Sequence, residues 1–234
     1  MAIDTECRKL MPEEIVAYNE RGYVVVPDVF PLEELGEIDR EIDRIQETQK
    51  DLGRNAGWVM QLGLRTDVTR QFAEDERALA LIEDIVKPGI SIYSGKLTAK
   101  LPQSNDICHW HQDDAYYNSQ APSETRMSTW IPLQDTDEEN GCLWVVPGSH
   151  KGGVVEHGPY GGQCPRCMGP ADLMFDDAIL CPVKAGDMLL FHACLWHHSK
   201  GNQTDRVRRA FIVSYQEATV PRGNGKQYKI LRQA

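Results

Sequence analysis

Along the first third of the chain, apolar side chains recur at intervals of three and four among charged ones, the spacing of one helical face. PEEIVAYNERG carries a proline at a helix start, Pro12, and a stop glycine, Gly22, and reads as a first helix. YVVVPDVF follows with a run of β-branched residues and reads as a short strand. In PLEELGEIDREIDRIQETQ the residues Leu32, Leu35, Ile38, Ile42 and Ile45 mark the apolar face of a second helix. A third is expected over VTRQFAEDERALALIEDIVK.

From about Gly89 the texture changes. ISIYSGKLTAK, STWIPLQD, CLWVVPGSH, DMLLFHACLWHHS and RAFIVSYQ are short β-rich runs separated by clusters of Gly, Pro, Asn and Asp. Several short strands with turn signals suggest a sandwich or barrel. The expected architecture is an antiparallel β-core buttressed by N-terminal helices. No linker or repeat divides the chain, so one domain over 1–234 is expected, with a helical part over about 1–88 and a β-core over about 89–220. At 234 residues, roughly 70% of the unfolded surface is buried on folding, enough for one sizeable core.

Charge narrows the partners. Lys plus Arg total 25 against 35 Asp plus Glu, a formal net charge of −10. With no basic stripe interleaved with aromatics, nucleic acid is not an expected partner. No run approaches 18 consecutive apolar residues, so no membrane span is expected. MAIDTECRKLMPEE lacks the apolar stretch of a secretory signal, and the seven cysteines are odd in number and scattered. Free thiols in a reducing cytoplasm follow as the expectation. Cys164 and Cys167 form a CPRC pair flanked by Gly and Pro. Without a second pair or a helix start it reads as structural or incidental.

The chemistry gathers in two histidine-bearing segments. In CHWHQDDAYY, His111 and Asp113 are two apart, and alternate residues of a strand share a face. Alone, this reads more simply as a hydrogen-bonded His–Asp pair at a strand end. Downstream, GDMLLFHACLWHHSKGNQTDRVRRAF offers His192, His197 and His198 in a β-type run, then a turn and a basic strand start. His197 and Ser199 share a face by parity, and His198 takes the other. If the turn folds Arg208 back beside His197, the site gains a guanidinium able to grip a carboxylate bidentately. Two histidines and an aspartate with open positions form the facial triad of non-haem Fe(II) oxygenases.

Taken in order, these segments resemble the phytanoyl-CoA dioxygenase family of Fe(II)- and 2-oxoglutarate-dependent oxygenases. The likeness begins with a helix followed by RGYVVVPDVF and continues through WHQDDAYY and ENGCLWVVPGSHK. It ends in GD-LLFH and H-x-S-x-x-N-x-T-x-x-x-R. The resemblance implies a double-stranded β-helix, a cupin-like jelly roll, with flanking N-terminal helices. It implies Fe(II) on His111, Asp113 and His197, working with 2-oxoglutarate and O2. The implied activity is hydroxylation, or a related oxidation, of a C–H bond in a small-molecule substrate, with release of succinate and CO2. Arg208 matches the family residue that pairs with the far carboxylate of 2-oxoglutarate, with Ser199 assisting. Trp130 matches an aromatic lining the pocket, and Lys96, Tyr116 and Tyr117 are expected to line the same cavity. Because the carboxylate of Asp113 is present, the family pattern points to hydroxylation over halogenation.

Rivals stay open at this level. His198 stands where the family usually has a small residue, and Arg209 is the register alternative to Arg208. Parity and spacing favour His197 and Arg208. Trp130 and Lys96 also read as ordinary core and strand residues. His157 is a candidate to face the pocket, His150 a loop-fixing hydrogen-bonder, and His109 a packing or supporting residue. A non-enzymatic metal-binding jelly roll would keep the three ligands without needing Arg208 and Ser199. A zinc-type hydrolase would want a general base, and Asp114, the nearest carboxylate, is turned away by strand parity. Substrate identity is not legible, and the oligomeric state is left open, a monomer included.

Overall fold

The structure, a computed structural model, describes residues 7–48, 58–60, 67, 70, 73–117, 122–160, 166–170, 173–220 and 229–234. Helix α1 (Pro12–Arg21) starts and stops at its sequence signals. Pro12 sits in the first turn, where a missing N–H costs nothing. The Glu14 carboxylate accepts from the Met11 N–H at 2.8 Å. Gly22 closes the helix at φ +84°, donating its N–H to the Tyr18 carbonyl. Strand β1 (Tyr23–Val26) is shorter than the run YVVVPDVF, because Pro27 has no N–H to give a ladder.

Helix α2 (Leu32–Thr48) buries Leu35, Ile38, Ile42 and Ile45, but Leu32 is 66% exposed. At 3.6 residues per turn Leu32 lies about 100° round from the centre of that stripe, so it falls off the buried face on which its three-residue spacing to Leu35 places it. The third helix is also shorter than expected: α3 spans Glu76–Ile82. Asp75 breaks the run, its backbone extended and its side chain accepting the Arg77 N–H at 2.9 Å. A short acceptor of this kind starts a helix in preference to continuing one.

The remaining strands are β2 (Trp58–Met60), β3 (Ile90–Lys100), β4 (Cys108–His111), β5 (Met127–Pro132), β6 (Leu143–Val145), β7 (Ile179–Cys181), β8 (Met188–His192), β9 (His197–Ser199), β10 (Arg208–Gln216) and β11 (Ile230–Arg232). Among the described residues they make two antiparallel sheets. The major one runs β1-β8-β5-β10-β3-β11, with β2 also on β3, and the minor one runs β4-β9-β6-β7. This is the mainly-β jelly roll with flanking helices. β1, β2 and β11 lie outside residues 89–220 yet pair into the major sheet.

Alternation along the major sheet sorts its two faces. Met188, Leu190, Phe211, Val213 and Ile131 join Leu35, Ile42 and Ile45 in the core under the helices. Leu189, Phe191, Trp130 and Ala210 join Leu143, Val145 and Leu195 in a second core between the sheets. The segment DMLLFHACLWHHS is not one run. The His192 carbonyl accepts the Leu195 N–H at 2.8 Å and its Nδ1 accepts the Cys194 N–H at 3.0 Å, a turn that carries the chain from β8 in one sheet to β9 in the other.

The Gly22 cap makes a checkable stability prediction. A Cβ there would sit 2.5 Å from His150 Nδ1, whereas at Gly148, which shares the left-handed backbone at φ +80°, the nearest atom is the Glu20 carbonyl oxygen at 3.6 Å. Both substitutions carry the left-handed backbone cost of about 1–2 kcal/mol. Gly22→Ala is therefore expected to lower the denaturant midpoint clearly more than Gly148→Ala, and equal losses would refute the contact.

Candidate active site

β4 and β9 run antiparallel with His111 opposite His197, and their rings lie 4.1 Å apart between centroids. Asp113 reaches them by a different route from the one expected. β4 ends at His111, and Asp113 opens the turn into helix α4 (Asp114–Tyr117), its carbonyl accepting the Tyr116 N–H at 3.0 Å. A turn, not strand pleating, brings the carboxylate round. The ligand atoms of His111, Asp113 and His197 all lie within 4.8 Å of one another. His111 Nε2 and Asp113 Oδ1 are 3.9 Å apart, a gap that two metal–ligand bonds of about 2.0–2.2 Å span.

The surroundings prepare these atoms for a cation. His111 Nδ1 lies 2.8 Å from the His109 carbonyl and His197 Nδ1 lies 2.9 Å from the Leu195 carbonyl. Carbonyls only accept, so in the neutral rings each Nδ1 carries the proton and each Nε2 keeps its lone pair. Ser128 donates to Asp113 Oδ2 at 2.7 Å and contacts Ser214 Oγ at 2.9 Å. Gln112, between the two ligands and fully buried, donates to the Gly153 and Cys194 carbonyls and accepts the Val155 N–H. Its backbone N–H donates to His157 Nε2 at 3.1 Å. His157 thus has its lone pair committed and braces the ligand segment. Gln112 and Ser128 escaped sequence reading. Only the position of Gln112 between the two ligands hinted at its role.

Electrostatics divide the ligands. Burial pushes His197 down to about 3, with the nearby His111 adding to the shift. For His111 burial also acts downward, but the Cys108 sulfur, the Asp113 carboxylate and the His109 carbonyl outweigh it and raise the pKa to about 9. Asp113 is held well below the usual carboxylate range. Burial opposes this, and the cation of Lys96 and the two imidazoles overcome it. A metal must therefore displace one proton, from His111, at neutral pH. Apparent Co(II) affinity is expected to rise about tenfold per pH unit from pH 6.5 until it levels near pH 9. Calorimetry in buffers of different ionisation enthalpy checks this, and a flat profile would refute it.

Arg208 and Arg209 part in the expected register. Arg209 donates to Asp39 at 2.7 Å and Asp43 at 2.6 Å on α2, on the helix side of the sheet. Arg208 is 3% exposed, with its guanidinium 5.5 Å from the Trp130 ring centroid and donating to the Gly141 carbonyl at 2.7 Å. No carboxylate pairs with it among the described residues. The H-x-S-x-x-N-x-T motif explains its placement: Asn202 donates to the Lys100 and Arg206 carbonyls and accepts from Thr204, shaping the turn that returns the chain. Gly141 (φ +80°) lets it in, since a Cβ there would meet the Lys200 carbonyl at 2.6 Å.

Other expected residues fall as follows. Ser199 is buried on β9 opposite Cys108 and Leu143. Lys96 Nζ lies 3.7 Å from Asp113 Oδ1 and 5.5 Å from the Tyr117 ring centre, so it reaches the ligand carboxylate itself. Tyr116 meets His111 edge-on at 6.0 Å. His198 turns away from His197 and stacks on Trp110 at 4.7 Å. His192 belongs to the major sheet, 5.3 Å from His150. His150 holds the Asn19 carbonyl at 3.1 Å. Asp114 is committed to Arg126 at 2.5 Å. It is removed from the site by that ion pair and the start of α4, not by strand parity. Cys167 is buried, and Cys164 lies outside the described residues.

An antiparallel jelly roll that brings two histidines and one carboxylate to a single point is the frame of the non-haem metal oxygenases. The chain belongs to the family described as Phytanoyl-CoA dioxygenase (PhyH), whose profile matches residues 18–210. It is 25% identical to the peroxisomal phytanoyl-CoA dioxygenase of Bos taurus over 238 residues, 86% of this chain and 67% of that one. It is 34% identical to the phytanoyl-CoA dioxygenase domain-containing protein 1 of Mus musculus over 159 residues, 64% of this chain and 53% of that protein. Two solved structures share the fold. One is the epimerase SnoN in complex with Fe3+, alpha ketoglutarate and nogalamycin RO, with TM-score 0.72, 25% identity and coverage of 90% and 84%. The other is the alpha ketoglutarate dependent carbocyclase SnoK, with TM-score 0.77, 20% identity and 96% coverage of both chains. The chain is an enzyme of the 2-oxoglutarate-dependent oxygenase class. Among the described residues no helix is long and apolar enough to cross a membrane.

Proposed function

We propose that this protein hydroxylates, or otherwise oxidises, a C–H bond of a small-molecule substrate with Fe(II), 2-oxoglutarate and O2, releasing succinate and CO2. The observation that carries the reading is a prepared His–Asp–His cluster in the same interior as a buried arginine that has no carboxylate partner among the described residues. The donor set of two imidazoles and one carboxylate fits ferrous iron, which would be held by His111, Asp113 and His197. When bound, the iron supplies the oxidising chemistry.

The chain's own residues bind and orient. Arg208, with Ser199, takes the far carboxylate of 2-oxoglutarate, and Trp130 walls the pocket beside the guanidinium. Lys96 holds a positive charge against Asp113, with Tyr117 beside that ammonium and Tyr116 edge-on to His111. Arg208 favours an oxygenase over a metal-storage jelly roll, since a storage protein has no use for a buried cation without a carboxylate partner. The commitment of Asp114 to Arg126 disfavours a hydrolase, which would need a general base.

Solved relatives titled as an epimerase and a carbocyclase keep the outcome of the oxidation open. The proposal extends to the cytoplasm as the compartment. Purified protein with ferrous iron and ascorbate should convert 2-oxoglutarate to succinate, faster with a cognate substrate. Iron-loaded protein that neither binds nor turns over 2-oxoglutarate overturns the reading.

A further inference from the structure

Lys100 ends β3 directly opposite Arg208 in the β3–β10 register, so the two side chains leave the sheet on the same face. Both are buried, Lys100 at 7% and Arg208 at 3% exposure. Both lie against Gly141: the Arg208 Nη2 donates to its carbonyl, and a Cβ at Gly141 would sit 2.8 Å from Lys100 Cδ. The Lys100 ammonium donates to the Asp106 backbone carbonyl at 2.5 Å, using one of its three protons. No carboxylate oxygen forms an ion pair with either side chain among the described residues.

Two adjacent buried cations without an ion pair are costly in both desolvation and repulsion, and the Asp106 carboxylate draws Lys100 the other way by less than burial and Arg208 push it. The repulsion registers on Lys100. Burial first, and the Arg208 charge second, push its pKa down to about 8. A fold keeps such a pair when an anion from outside completes it.

We infer that Lys100 is a second cation of the co-substrate pocket, gripping the far carboxylate of 2-oxoglutarate together with Arg208. The inference rests on the proposed function and adds a specificity residue to it. Arg208 supplies a planar fork and Lys100 a compact point charge. Together they select a 2-oxo acid that bears a second carboxylate over one that ends in a methyl group.

Anaerobic calorimetry on Mn(II)-loaded protein tests this with two probes, 2-oxoglutarate and pyruvate, which share the 2-oxo acid head and differ in the far carboxylate. Lys100→Met is expected to weaken 2-oxoglutarate about 10- to 100-fold, the worth of a charge-assisted hydrogen bond, and to leave pyruvate within about twofold. A purely structural lysine would change both probes alike, or neither. An unchanged ratio of the two affinities overturns the inference even if the variant is less stable. Lys100→Gln, which keeps a donor and most of the length but drops the charge, repeats the test should the methionine variant not fold. Wild type that fails to bind 2-oxoglutarate at all indicts the proposed function. Binding lost in Arg208→Ala but kept in both Lys100 variants indicts only this inference.

Discussion

His197→Ala protein should turn over 2-oxoglutarate at least about 100-fold more slowly than the parent and should bind one Co(II) far more weakly. Loss of a residue that merely supports a metal ligand costs about 10- to 100-fold, so loss of a ligand costs more. The fold should survive, because among the described residues the His197 side chain is hydrogen-bonded only through Nδ1, to a carbonyl that a water can satisfy. His198→Ala is the paired control. That ring stacks on Trp110 with both nitrogens buried, so its removal should cost stability, about 1 kcal/mol for the stacking alone, and leave metal affinity near wild type. The reverse pattern, metal lost with His198 and kept without His197, would place the centre on the wrong imidazole.

Arg208→Ala should raise the 2-oxoglutarate concentration needed for half-maximal turnover on the order of 100-fold while leaving Co(II) affinity nearly unchanged. Truncating one partner of a buried charged pair costs about 2–5 kcal/mol, and Arg208 stands on a strand that contributes no metal ligand. Arg208→Lys should recover only part of the loss, since an ammonium lacks the planar fork. Arg209→Ala should leave the requirement for 2-oxoglutarate alone. Its partners Asp39 and Asp43 are partly exposed on α2, and such pairs contribute up to about 1 kcal/mol to stability. Steady-state titration of 2-oxoglutarate in the three variants checks all of this. An Arg209 effect on the co-substrate would shift the register by one residue.

The register of these arginines was legible early because it needs only strand parity and a turn rich in Asn, Thr and Gly. The same is true of His197 against His198. Parity was the wrong tool at Asp113, which lies past the end of its strand and reaches the imidazoles through the turn into α4. A three-residue step at a helix start puts Leu32 in line with Leu35 without putting it on the buried stripe. The break at Asp75 is hidden in the sequence because its cap lies inside a helix-rich run. The split of DMLLFHACLWHHS into two strands had no glycine or proline to announce it, since the His192 side chain itself shapes the turn.

The order of elements, the two histidine segments and the inward register of Arg208 follow from local rules of spacing and turn chemistry acting within a dozen residues. What those rules cannot reach is any meeting between distant strands. The facing of His111 with His197, the Ser128 bond to Asp113, and the pairing of Lys100 with Arg208 depend on which strands become neighbours and in what register. Burial of the whole core settles that choice, and a hydrophobic pattern constrains a face without naming its partner. Only the folded chain shows that Lys100 and Arg208 lie side by side, both buried and neither in an ion pair among the described residues.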